Sequence, residues 1–262
     1  MRYLDLYKDF VTIHLKVYAL SKANVFIGVF GFLLTQASGI IFLQLVFQRI
    51  PSINDWSFYE VLFIYGFFQL PRGLDHLYSD HLWLLARDSL IKGDFDRYLL
   101  RPLPPLFQVI VERFQLDALG EIIIGSAILV VAISNLSLHI TFSTVCAFFI
   151  CVVFSTIIYT ALKLIFASLA FWVKQSFAVL YSMYMIADFA KYPITIYPAF
   201  LQFALLFVLP YAFTSYVPAS AILGKSVMWS SVFHLLIVVV IVVAIAALVW
   251  KQGIKRYDSS GN

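Results

Sequence analysis

Apolar and polar positions along this chain fall into blocks with distinct periods. Near the start, Tyr3, Leu6, Phe10, Ile13, Val17 and Leu20 recur every three or four residues, while Arg2, Asp5, Asp9, Thr12 and Lys16 gather on another face. That period predicts an amphipathic helix over residues 1–23, lying in a membrane surface or packed on the chain's own bundle. Asp5, Lys8, Asp9 and Lys16 also interrupt the continuous apolar core that a signal peptide would need there. Apolar runs of membrane-crossing length follow, at about Val25–Phe47, Trp56–Leu77, Leu106–Ala132, Ile140–Phe171, Gln175–Ala190 and Ser231–Trp250. They predict an all-α polytopic fold of six transmembrane helices, with a kink where Pro71-Arg72-Gly73 interrupts the second.

Between the fifth and sixth runs the apolar sequence is divided by Pro193, Pro198, Pro210 and Pro218. The piece Ala199–Leu209 would make a helix of only ~16 Å, too short for a hydrocarbon core of ~30 Å. Residues 191–228 are therefore expected to enter and leave on one side as an outer re-entrant hairpin. A competing topology makes Ala199–Tyr216 the fifth span, kinked at Pro210.

The composition agrees with a single integral membrane domain over residues 1–262: 62% of residues are hydrophobic and only 12% charged. The net charge of +4 does not point to nucleic acid, because the basic residues sit at helix ends rather than in a patch. With the N-terminus inside, Arg72, Arg87, Lys174 and Lys251 are among the basic residues that face the cytoplasm, and only Arg49, Lys191 and Lys225 face out. Both termini are then cytoplasmic, as expected of a multi-pass protein of the inner, cytoplasmic membrane. Cys146 and Cys151 read as free thiols.

One mostly polar segment, residues 78–105, joins the second and third spans on the cytoplasmic side. Leu82–Leu90 suits an amphipathic helix, Gly93 a left-handed stop, and Asp94 the cap of a short helix Phe95–Leu100, which Pro102, Pro104 and Pro105 terminate. Phe95, Tyr98, Leu99 and Leu100, beside Asp96, Arg97 and Arg101, read as a plug for a groove on a partner.

Ionisable residues within spans are costly and mark packing or transport sites. Asp117 and Glu121 share a face of the third span, and Lys163 of the fourth lies at a depth like that of Asp117. They read either as an ion pair fixing two helices or as an acidic cavity wall that attracts cationic amphiphiles. Glu60, Gln69 and Asp188 are further candidate lining. Asp75, His76, Asp80 and His81 have metal-binding side chains, but in a cytosolic amphipathic stretch they read as a solvated face, and no metal site is expected. Gly224-Lys225-Ser226 ends like a phosphate-binding loop, yet Ala219 stands where its first glycine belongs. No catalytic constellation is evident, so the chain is not expected to be an enzyme.

The run GDFDRYLLRPL from Gly93 to Leu103, and KYPITIYP from Lys191 to Pro198, resemble segments of the ABC-2 type permeases, the membrane subunits of type V ABC transporters. Similarity is closest to the small permeases related to viologen and multidrug exporters. This resemblance implies that Phe95–Leu100 form the coupling helix docked on an ATPase. It implies equally that Pro193–Gly224 form the outer re-entrant hairpin and gate, with Pro193, Pro198, Pro210 and Pro218 at the gate, and that residues 1–23 form the family's connecting helix. It further implies two ABC ATPase subunits carrying ATP and Mg, with no cofactor on this chain, and a second permease, identical or similar, within the lipid bilayer. The expected cargo is an amphiphilic or cationic small molecule such as a drug, toxin or lipid-like compound. A secondary transporter would ordinarily show internal repeats, and an intramembrane enzyme a nucleophile or dyad; neither is evident.

Overall fold

The computed structural model of the chain describes residues 2–20, 22–173 and 176–258. Lys174 and Gln175, expected at the start of the fifth span, lie outside the described residues, as do the side chains of Arg2, Tyr3, Asp5, Val17 and Leu20 from the predicted N-terminal stripe. Among the described residues no strand is present, only an isolated bridge between Ile53 and Trp56.

Helix α1 (Arg2–Leu20) leads into α2 (Lys22–Arg49), and a tight turn at Asn54 and Asp55, both at positive φ, reverses the chain into α3 (Phe58–Ser79). Ser57 and Glu60 form a capping box that starts α3, the Glu60 carboxylate accepting from the Ser57 backbone N–H at 2.8 Å. The helix runs through Pro71 and continues into α4 (His81–Leu84) and a π turn, Leu85–Ser89. Then come α5 (Asp96–Leu100), α6 (Pro105–Val111), α7 (Ala118–Ser134) and α8 (Phe142–Ser168). The chain closes with α9 (Phe177–Ala187), α10 (Ala199–Phe203), α11 (Tyr216–Ile222) and α12 (Met228–Arg256).

The core is built on α3, which packs against α7 on one side and α8 on another, with α12 beyond α8. The α3–α7 crossing is close because both helices present glycine: a Cβ on Gly66 would lie 3.1 Å from the Gly125 carbonyl oxygen. Helix α2 is peripheral, and most of its large apolar side chains face outward.

Among the described residues, three helices are long and apolar enough to cross a membrane: Phe26–Arg49, Phe142–Phe171 and Met228–Arg256. Together with the shorter apolar helices they make this a multi-pass membrane protein. The other predicted spans differ from simple crossings. The expected third span is broken between α6 and α7, where Gln115 N–H donates to the Leu77 carbonyl at 3.0 Å and the chain leaves helical geometry. The expected fifth is an eleven-residue α9, about 16 Å long, followed by 3₁₀ turns at Asp188–Lys191 and Ile194–Ile196.

This discontinuous segment still follows α3 along its length, in the opposite direction. Phe177 packs on Trp83, Tyr184 on His76, Asp188 on Arg72 and Tyr192 on Tyr65. Thr195 then receives hydrogen bonds from the Trp56 indole and the Asn54 amide at the start of α3. Residues 198–222 fold back on themselves. Pro198 precedes α10 and its π continuation Ala204–Val208, and Pro210 caps a 3₁₀ turn, Tyr211–Thr214, whose Tyr211 ring reaches Tyr159 on α8. Ser155 then donates to the Phe213 carbonyl and Ser215 to the Ala190 carbonyl. Tyr216 packs on Trp56, and Lys225 sits 4.4 Å over the same indole. Thr195 before this segment, Tyr216 within it and Lys225 after it thus meet the same end of α3. Pro193 precedes the Ile194–Ile196 turn, and Pro218 is buried inside α11.

Candidate functional site

Two sets of residues carry candidate chemistry, and α3 connects them. The first is the turn after α4. Gly93 adopts φ of +72°, the left-handed geometry its sequence position requires. Phe95, not Asp94, stands at the cap position of α5, and no side-chain cap bond forms there. The Phe95 ring is wholly buried in an aromatic box, 5.2 Å from Phe171, 6.1 Å from Trp250 and 5.0 Å from Tyr257.

Tyr98 is buried as well. The Arg97 guanidinium donates to its hydroxyl, which leaves the hydroxyl proton to donate to His81 Nε2 at 2.9 Å. Burial, reinforced by the positive charges of Arg97 and Arg113, pushes His81 down to about 4, so the ring is the neutral acceptor this chain of bonds needs. Gln108 of α6 donates to the carbonyls of Tyr98 and Leu103, Arg97 pairs with Glu112 at 2.9 Å, and Tyr257 donates to Asp96.

Phe95 and Tyr98 are therefore not offered to a partner, contrary to the sequence reading. Their rings gain more by filling the space between the ends of α8 and α12 than they would at a wet surface. What projects is Leu100, 85% exposed, with Leu99, Arg101 and Asp94 beside it.

The second set is a buried polar network on the last turns of α3. Lys163, 3% exposed, lies 2.6 Å from Asp75, which has no exposed surface, and 3.0 Å from Asp80. Ser79 and Thr160 donate to the other Asp75 oxygen, and Tyr78 completes the chain through Thr160. The expected partnership of Lys163 with Asp117 is not formed. Asp117 lies at the start of α7, in a recess shared with Gly28 and Phe32 of α2, whereas Lys163 meets α3 from the α8 side.

On the α7 side of α3, Glu121 accepts from His76 Nδ1 at 2.9 Å and lies 3.8 Å from Arg72 Nε. Arg72 pairs with Asp188 at 2.8 Å and stacks 4.4 Å over Tyr184. Lys191 also reaches Asp188, at 3.3 Å. Gln69 and Tyr65 both donate to Gln36 of α2.

Several of these positions correct the sequence reading. Asp75, His76, Asp80 and His81 were expected on a solvated face, but the first two and His81 are buried and Asp80 is mostly enclosed. Arg72 was counted with the cytoplasmic charges, yet it lies within the bundle. Glu60 caps the first turn of α3 and pairs with Lys225 at 3.0 Å, far from the polar network. A signal for the network was present: Arg72, Asp75, His76, Ser79 and Asp80 stand at i, i+3, i+4, i+7 and i+8, the spacing of one broad polar stripe on a helix. Among the described residues, no group of His, Cys, Asp or Glu is arranged to hold a metal ion.

The arrangement has buried polar packing on the last turns of α3, a projecting apolar tip at one end and a folded-back segment at the other. No curated protein is matched by the chain. No solved structure is matched either. The family model described as ABC-2 family transporter protein matches residues 33–261, and the chain belongs to that family.

Proposed function

We propose that the chain is the permease subunit of an ATP-driven exporter, working with two separate ABC ATPase subunits and a second permease, identical or similar. ATP and Mg would then be bound on the ATPases. The observation that carries this reading is the turn at Asp94–Arg101. It projects Leu99, Leu100 and Arg101 while clamping its own base to the cytoplasmic ends of α8 and α12 through Phe95 and Tyr257. A docking surface needs an apolar anchor with charges around it, and a transmitter needs a stiff attachment to what it moves. This turn has both. Movement of the tip would pass through Phe171 and Trp250 into α8 and α12, and α8 carries the Tyr159 that meets Tyr211.

In this reading the membrane topology has six crossings, the fifth being the discontinuous path along α3, and both termini are cytoplasmic. Residues 191–228 form the outer re-entrant hairpin and gate, supported by the contacts of Thr195 and Tyr216 with Trp56. The polar network of Arg72, Asp75, Asp80, Glu121, Lys163 and Asp188 holds the central helices together. The cargo is an amphiphilic or cationic small molecule, in keeping with the resemblance to viologen and multidrug exporters.

The test is co-purification with an ABC ATPase whose hydrolysis depends on this chain. Retained transport in membranes that lack every such ATPase would replace this reading with that of a secondary transporter.

A further inference from the structure

Helix α12 changes chemistry at its end without changing face. Val239, Val242, Ala246, Trp250 and Gly253 are buried on the bundle side, while Phe233, Ile237, Ile241 and Leu248 recur at helical spacing on the opposite, exposed side. Lys251 and Lys255 continue that exposed stripe, with Arg256 beside it, and all three side chains are exposed. None of the three pairs with a carboxylate among the described residues. From Met228 to Trp250 the helix rises ~33 Å, about the thickness of the hydrocarbon core, so Lys251–Lys255, over the next ~6 Å, falls in the headgroup layer, roughly 5–7 Å deep on each side. Trp172 marks the same level: it follows Phe171, whose ring leaves no room for a Cβ on Gly253, and its own indole is exposed, as at a membrane interface.

The geometry points to the C-terminal end of α12 as a binding site for the headgroup of an anionic phospholipid, one that steadies the Asp94–Arg101 turn from behind. A stripe that meets acyl chains along the helix meets their headgroups where it ends, and a phosphate there finds two ammonium groups one helical turn apart. Cations at a helix end also complement its last carbonyls, but that role is the same in every lipid. The other face of the same turn carries the aromatic box: Trp250 lies 6.1 Å from Phe95 and 5.5 Å from Phe171, and Tyr257 donates to Asp96 at 2.9 Å. Helix α5 has five residues and no side-chain cap, too short to hold itself, so its order depends on these contacts. A headgroup that fixes the depth and rotation of the last turn of α12 therefore orders α5 as well.

The inference deepens the export reading, on which it rests for the role of the turn, by making that turn depend on the charge of the surrounding lipid. It is tested on the full chain, without an ATPase, in vesicles of phosphatidylcholine alone or with one third phosphatidylglycerol. A fluorophore on Gln252→Cys, in a Cys146→Ser/Cys151→Ser background, reports lipids carrying a nitroxide near the glycerol. Labelled phosphatidylglycerol should be enriched there over labelled phosphatidylcholine by about fivefold or more, the effect of one basic side chain at a membrane surface. Amide exchange across Asp96–Leu100 should be slower by about fivefold or more in the phosphatidylglycerol vesicles. Both effects should disappear in Lys251→Gln/Lys255→Gln/Arg256→Gln, whose changes lie at exposed positions. Equal quenching by the two lipids, or equal exchange in the two vesicles, overturns the inference with the wild-type side chains at all three positions. So does a triple variant that keeps both effects but loses ATPase co-purification, which would assign the basic face to the ATPase. Failure of the lipid effects with ATPase association intact removes this inference alone, and lipid effects without any associated ATPase remove the export reading alone.

Discussion

Lys163→Met is the most informative single perturbation of the fold, because the structure supplies the terms of its cost. The lysine lies 2.6 Å from Asp75 and 3.0 Å from Asp80, and neither Lys163 nor Asp75 has appreciable exposed surface. One Asp75 oxygen is served by Ser79 and Thr160, but the other faces only the ammonium. Removing the lysine strands a buried carboxylate, which costs about 3–5 kcal/mol. Asp75→Asn should cost less, about 1–3 kcal/mol, since Lys163 keeps Asp80 and the amide retains part of the hydrogen bonding.

The double variant Lys163→Met/Asp75→Asn should recover about 2 kcal/mol relative to the sum of the singles, because the stranded charge is gone. At roughly 2–4 °C per kcal/mol for a domain of this size, Lys163→Met should lower the midpoint of thermal unfolding by about 10 °C. The assay is a thermal double-mutant cycle on detergent-extracted protein, with Lys163→Met/Asp117→Asn as a second cycle. That second cycle should be additive within about 0.5 kcal/mol, since no contact joins its two residues. Additivity in the Asp75 cycle, or strong coupling in the Asp117 cycle, would refute the network described here.

Leu99→Ser/Leu100→Ser should leave the unfolding midpoint unchanged, since both side chains are exposed, yet abolish ATPase co-purification; a normal ATPase yield would exclude this tip as the docking surface. Phe95→Ala should instead cost about 3–5 kcal/mol of stability, measured in the same thermal assay, because it empties a buried aromatic box. His81 is held near 4 when folded against about 6.5 unfolded. Its contribution of about 3 kcal/mol is therefore fully present above pH 6.5 and lost as the pH falls towards 4. Unfolding midpoints of wild type and His81→Asn across that range should converge in acid, and parallel curves would rule the effect out. In a Cys146→Ser/Cys151→Ser background, Thr195→Cys and Ser226→Cys, at exposed positions flanking the folded-back segment, should both react with an impermeant thiol reagent from outside the cell. Labelling of Thr195→Cys from the cytoplasmic side alone would overturn the hairpin and its gate.

The sequence by itself determined what depends on short-range pattern. Length and apolar continuity mark α2, α8 and α12 as membrane-crossing helices. Gly93 in the left-handed conformation and the prolines flanking the short helices act within a few residues, so the turn and the divided segment after α9 were legible too. Tertiary structure alone decided which way each face turns. Phe95 and Leu100 look alike as apolar residues of one short helix, but only the packing of α5 against the ends of α8 and α12 buries one ring and leaves the other side chain outside. In the same way, a one-dimensional reading pairs Lys163 with Asp117 by depth and leaves Asp75 and Asp80 on a solvated face. The choice rests on α8 packing against the Asp75 side of α3 while Asp117 faces α2. Helical period places a charge on a stripe, but pairing across helices depends on rotation and crossing, which arise from contacts distant in sequence.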